Sequence, residues 1–100
     1  MTYQERKQKW WEFHKANPHV YDYFQRYTHE AINRGAKRCS PWLIVARIRW
    51  ETYLSTTDTD FKISNDYIAF YSRLFMKWNP NYEGFFKTKP MKGERYANAN

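Results

Sequence analysis

Three of the four prolines in this 100-residue chain follow a residue able to cap a helix, and these pairs divide it more firmly than anything else in it. They are Asn17-Pro18, Ser40-Pro41 and Asn79-Pro80. Proline has no N–H and a fixed φ, so it suits the first turn of a helix and stops any helix running into it. The stretches between these points read as helices. Residues 3 to 15 mix Glu5, Arg6, Lys7, Lys9 and Glu12 with Tyr3, Trp10, Trp11 and Phe13, a short helix with its charges to one side. After Asn17 as cap and Pro18 as first residue, Val20, Phe24, Tyr27 and Ala31 recur at helical spacing, and Gly35 closes the segment in the left-handed conformation.

From Pro41 to Leu54 the sequence PWLIVARIRWETYL is apolar around most of its circumference, interrupted by Arg47, Arg49 and Glu51. That pattern predicts the central, most buried helix. Ser55 to Asp60 (STTDTD) is a polar loop, and Phe61-Lys62-Ile63 alternates as a short strand does. Ser64 or Asn65 then caps a helix that keeps Asp66 near its positive end and runs to Trp78. Gly84 to Lys89 alternates again and is expected to pair with Phe61 to Ile63. Residues 1–90 are therefore expected to form one mainly helical domain with a minor β element, and residues 91–100 a polar, loose tail.

A chain of this length folds around one core, and its 21 aromatic rings supply the buried area without disulfides. The lone Cys39 points to a reducing compartment, so a cytoplasmic location is expected. No apolar run is long enough to span a bilayer, and MTYQERKQKWWEF lacks the apolar stretch of a signal peptide, so no membrane partner is expected. Seventeen Lys and Arg against ten Asp and Glu leave a net charge of +7, which favours anionic partners and excludes a DNA-mimicking inhibitor.

In the segment from Asn65 to Trp78, the rings and aliphatics Tyr67, Ile68, Tyr71, Leu74, Phe75 and Trp78 gather on one side, and the rings Tyr71, Phe75 and Trp78 are expected to pack on Ile44 and Ile48. Ala69, Ser72, Arg73, Met76 and Lys77 occupy the other. Small residues followed by Arg on an exposed face suit entry into a major groove, which places Ala69, Ser72 and Arg73 near base edges. Lys62, Lys77, Lys87, Lys89 and Lys92 are the candidate phosphate contacts, the last three lying with Arg95 where the wing of a winged helix would be. The competing reading of both groups is a solvated face. Arg34, Lys37 and Arg38 form a smaller basic group open to the same two readings. A helix-turn-helix reading must also accommodate the connection from Ser55 to Ser64, which is longer than the usual three or four residues.

Catalytic patterns are missing. His14, His19 and His29 lack metal-site spacing, Asp58, Asp60 and Asp66 fall in a loop and at a cap, and three glycines leave little material for a phosphate loop. We expect no enzyme, no cofactor and no metal. Most of the aromatics fall on core stripes, which argues against base stacking on single strands.

The strings Phe13-His14-Lys15-Ala16-Asn17-Pro18-His19-Val20-Tyr21, Ile48-Arg49-Trp50-Glu51-Thr52, the long run from Phe61-Lys62-Ile63-Ser64-Asn65-Asp66-Tyr67 through Arg73-Leu74-Phe75-Met76, and Gly84-Phe85-Phe86 resemble a group of small uncharacterised phage and prophage proteins. The resemblance covers about residues 10 to 90. It implies a phage or prophage origin, action in the host cytoplasm and a winged-helix-like fold, and it brings no site residues with it. Two functions are expected from the whole: binding of nucleic acid, duplex DNA first, or capture of an acidic host protein through the basic face or through aromatics such as Trp10, Trp11 and Tyr82.

Overall fold

Thr2 starts the first helix with a capping box: its Oγ1 accepts the Glu5 N–H at 3.1 Å while the Glu5 carboxylate accepts the Thr2 N–H at 3.5 Å. The computed structural model describes residues 1–55, 63–91 and 93–94. Within them lie four α-helices, α1 (Tyr3–Ala16), α2 (Pro18–Asn33), α3 (Pro41–Ser55) and α4 (Asn65–Trp78), and a 3₁₀ turn at Pro80–Tyr82. No helix is long and apolar enough among the described residues to cross a membrane.

The proline junctions work as the chemistry requires, with one difference. Asn17 does not cap α2 through its side chain. It closes α1 instead, with its backbone N–H and its Nδ2 both donating to the Phe13 carbonyl, at 2.9 and 3.0 Å. Asn79 does the same at the end of α4, its N–H and Nδ2 reaching the Phe75 carbonyl at 2.9 and 2.8 Å. The two junctions share the pattern Phe-x-Lys-x-Asn-Pro, and their Asn φ/ψ pairs, −134/62 and −131/71, are nearly the same. One side chain thus satisfies a carbonyl left over by one helix while the following Pro begins the next. Gly35, at φ +98, ends α2 with Ala36 N–H on the Ala31 carbonyl and its own N–H on Ile32, the bonding of a Schellman turn. Ser64 caps α4 by accepting the Tyr67 N–H at 3.3 Å.

Helix α4, not α3, is the centre of the fold. It packs against α1, α2, α3 and the 3₁₀ turn, whereas α1 and α3 do not meet. Ile68, Phe70, Tyr71, Ser72, Leu74 and Phe75 are all buried on it. Around them the core is mostly rings: Trp10 stacks on Phe70 at 5.2 Å and meets Tyr71 edge-on, Phe24 lies 5.9 Å from Tyr71, and Phe86 contacts both Phe24 and Phe75. Trp78 shares the face of Tyr71, both meeting His14 and Tyr21, but it stands at the end of the helix. It is half exposed there, on the α1–α2 side.

Helix α3 buries Ile44, Val45 and Ile48 but exposes Trp42, Leu43, Trp50, Tyr53 and Leu54, each between 49 and 65%. A helix apolar all round needs neighbours on every side. In a domain of this size α2 and α4 cover only the inner part. The seam to α2 is fastened by Arg47, whose guanidinium lies 4.6 Å from the Tyr27 ring centre, 3.6 Å from Glu30 and 2.9 Å from Glu51.

The minor β element differs from expectation as well. Among the described residues there is no strand, only an isolated parallel bridge between Cys39 and Phe86, with Cys39 N–H on the Phe85 carbonyl at 3.1 Å. Phe85 and Phe86 are both buried, so Gly84 to Lys89 does not alternate. It anchors the loop leading into α3. Phe61 and Lys62, its expected pairing partners, lie outside the described residues, and Ile63 is buried in no bridge.

Candidate nucleic-acid interface

The face of α4 expected to read bases is closed at Ser72 and occupied at Arg73. Ala69, Arg73 and Met76 are partly exposed and Lys77 is exposed, but Ser72 is 1% exposed and its hydroxyl donates back to the Ala69 carbonyl at 2.8 Å. Its helical phase puts it beside Ile68 and Phe75 rather than beside Arg73. Serine is small enough to fill a core position once its own backbone satisfies the hydroxyl.

Arg73 is occupied. Its Nε donates to Glu94 Oε1 at 2.8 Å and its Nη2 to Glu94 Oε2 at 3.1 Å, a bidentate pair. Nη2 also reaches the Lys89 carbonyl at 2.6 Å and Nη1 the Ala69 carbonyl at 3.0 Å. Glu94 in turn accepts the Met91 N–H at 2.7 Å. Burial alone would raise the Glu94 pKa, but the bonds from Arg73 and Met91 outweigh it and hold the carboxyl below its ordinary 4.5. Residues 89–91 with Gly93 and Glu94 therefore form a strap across α4. Met91 packs against the core, and at Gly93, φ +85, a Cβ would come within 3.1 Å of Tyr3 Cβ, so only glycine passes there without a shift. This corrects the expectation of a loose tail for Met91, Gly93 and Glu94, while residues 92 and 95–100 lie outside the described residues.

Cations do remain beside the strap. Lys77, Lys87 and Lys89 are exposed and make no ion pair among the described residues. Lys77 lines a furrow of about 380 Å³ together with Arg73, Met76, Glu83, Gly84, Phe86 and Thr88. Lys87 extends from the chain between two of these lining residues. A second furrow of about 370 Å³, between Arg73, Thr88, Pro90 and Glu94, continues the first. Lys62 and Lys92, expected to join this strip, lie outside the described residues, as does Arg95. Arg34, Lys37 and Arg38 are exposed beyond the end of α2, and Arg34 is 3.6 Å from Glu30.

Other candidates fall to structural roles. His14 sits among Trp10, Trp11, Tyr21, Tyr71 and Trp78, where burial holds its imidazole below 6.5 with a partial counterpull from Asp22. His29 packs on Phe75 and Tyr82. Burial likewise pushes the Tyr21 hydroxyl up to about 12 and Tyr71 higher still. No group of three His, Cys, Asp or Glu side chains converges among the described residues, and Asp58 and Asp60 lie outside them. Trp10, expected as an exposed partner contact, is buried, and Trp11 is half-buried.

Sequence reasoning missed the apolar outer side of α3 because it took uniform apolarity as a mark of burial. The signal was present: one core in 100 residues cannot surround two helices, and α4 already carries the larger set of core rings. No protein-family model, curated protein or solved structure matches this chain.

Proposed function

We propose that this domain binds nucleic acid through its phosphate backbone, duplex DNA first, without reading bases and without a chemical step. The observation that carries the reading is the set of three exposed lysines, Lys77, Lys87 and Lys89, which make no ion pair among the described residues and stand beside the two furrows at α4. The guanidinium that would discriminate bases is meanwhile spent on Glu94 and two carbonyls. Lysine contacts of this kind are point charges that neutralise phosphates and release counterions, so they bind without regard to sequence and weaken with salt. A net charge of +7 draws the polyanion in at low ionic strength. A phage or prophage origin, which the resemblance implies, fits such a partner.

The test is a salt series on a labelled random duplex. Replacing Lys77, Lys87 and Lys89 together by Gln should weaken every duplex alike and lower the magnitude of the salt slope by about 0.9 for each phosphate no longer neutralised. Absence of duplex binding by the wild type at low salt, where the charge acts most strongly, would end this reading. A pronounced sequence preference that disappears in Arg73→Ala would restore base reading at its expense.

A further inference from the structure

The outer side of α3 has an order that a merely surplus apolar surface would lack. Leu43, Ala46, Trp50 and Tyr53 are all exposed and follow one another at spacings of three, four and three, the seam with which one helix receives another. Ala46 in its middle allows close approach, and Leu54 and Trp42 flank it. The rings are already ordered: Trp50 stacks on Tyr53 at 6.0 Å, and Trp42 Nε1 donates to Asn65 Oδ1 at 3.2 Å. Rigid Trp and Tyr beside Arg is the composition of binding hot spots. With a whole large side chain at about 200 Å², the five exposed apolar residues present on the order of 500 Å², a large share of the roughly 800 Å² that each partner contributes to a standard interface.

Charge chooses the occupant. Arg49 is exposed on this side of the helix without an ion pair among the described residues, and Lys37 and Arg38 stand exposed in the loop that leads into α3. The only acid of α3, Glu51, is bound to Arg47. A second copy would bring Arg49 and a charge of +7 against the same, which disfavours self-pairing. We propose that the Leu43–Ala46–Trp50–Tyr53 face of α3 docks an amphipathic helix of a partner protein whose apolar stripe is bordered by Asp and Glu. This surface shares no residue with the lysine furrow, so the two readings stand or fall separately.

A displayed library of random helical peptides, selected on the full chain, tests it. Selected peptides should be enriched in Asp and Glu beside Leu, Trp or Phe at helical spacing. They should lose at least about tenfold in affinity to the double variant Leu43→Ser, Trp50→Ser and to Arg49→Glu, with circular dichroism unchanged in both. Exchanging the peptide's acids for Lys should recover part of the loss in Arg49→Glu. The Lys77, Lys87 and Lys89 to Gln variant should bind the peptides as the wild type does. No enrichment, enrichment without acids, or equal binding to the variants overturns the proposal. It is equally overturned if sedimentation finds a wild-type dimer that Leu43→Ser dissociates. Capture of the wild type by anionic vesicles but not by peptides, abolished in the double variant, overturns it as well and assigns the face to lipid.

Discussion

Helices α3 and α4 are of similar length and both rich in apolar residues, yet one ends half in solvent and the other at the centre. The difference lies in what each can surround itself with. α4 lies against three helices and a 3₁₀ turn, and on its remaining side Arg73 is held by Lys89 and Glu94. α3 has α2 and α4 on its inner side and keeps two tryptophans, a tyrosine and two leucines outside. Apolarity says that a face will be covered, and packing decides whether the cover comes from the same chain.

The sharpest way to break this contrast is to truncate one residue on each helix. Phe75→Ala, which empties a fully buried ring position contacted by Phe86, His29 and Tyr82, should cost about 3 to 5 kcal/mol in urea denaturation. A loss below about 1 kcal/mol would place the centre of the core elsewhere. Next in size is the strap. Arg73→Ala removes charge-assisted bonds to a carboxylate and two carbonyls and leaves the little-exposed Glu94 without its cation, so we expect about 1 to 3 kcal/mol and loosened protease protection around Lys89 and Glu94.

Acid should open the same strap without any substitution. The Glu94 pKa is depressed on folding, so its contribution is complete above the ordinary value of 4.5 and is lost as pH falls through the lower folded value. Glu94→Gln should flatten that part of the stability curve. His14 acts higher on the scale: its folded pKa is also depressed, so the unfolded chain binds more protons below 6.5 and stability falls on acidification from that value until the folded imidazole titrates. His14→Phe should remove this upper slope and leave the Glu94 slope in place. The smallest effect belongs to α3. Trp50→Ser should stay within about 0.5 kcal/mol of the wild type, and a cost near that of Phe75→Ala would mean that the outer face of α3 is covered within the chain.

Local rules made much of this fold legible. Pro18, Pro41 and Pro80 stand at the starts of their elements, Gly35 takes the left-handed turn, Ser64 caps α4, and Asn65 to Trp78 is helical as its spacing predicts. Each depends on residues within a turn of one another. What stayed hidden depends on partners far along the chain. Arg73 looks free until Glu94, 21 residues on, takes it, and Phe86 looks like half a hairpin until Cys39 pairs with it. Ser72 reads as surface by type and becomes core by phase. The lysines of the furrow were legible because charged side chains without a partner go to the surface whatever the topology.

The central position of α4 has a further consequence at the ribosome. The chain is made from its first residue onward, so α1, α2 and α3 emerge before the helix that all three pack against. Until α4 has left the exit tunnel, Trp10, Tyr21 and Phe24 are without the rings of Phe70 and Tyr71 that they pack against, and Phe86, which holds the loop before α3, follows later still. A nascent chain halted before residue 65 should therefore expose this ring-rich surface and recruit holding chaperones. The seam between α2 and α3 can close earlier, but the core is completed only when the fourth helix arrives.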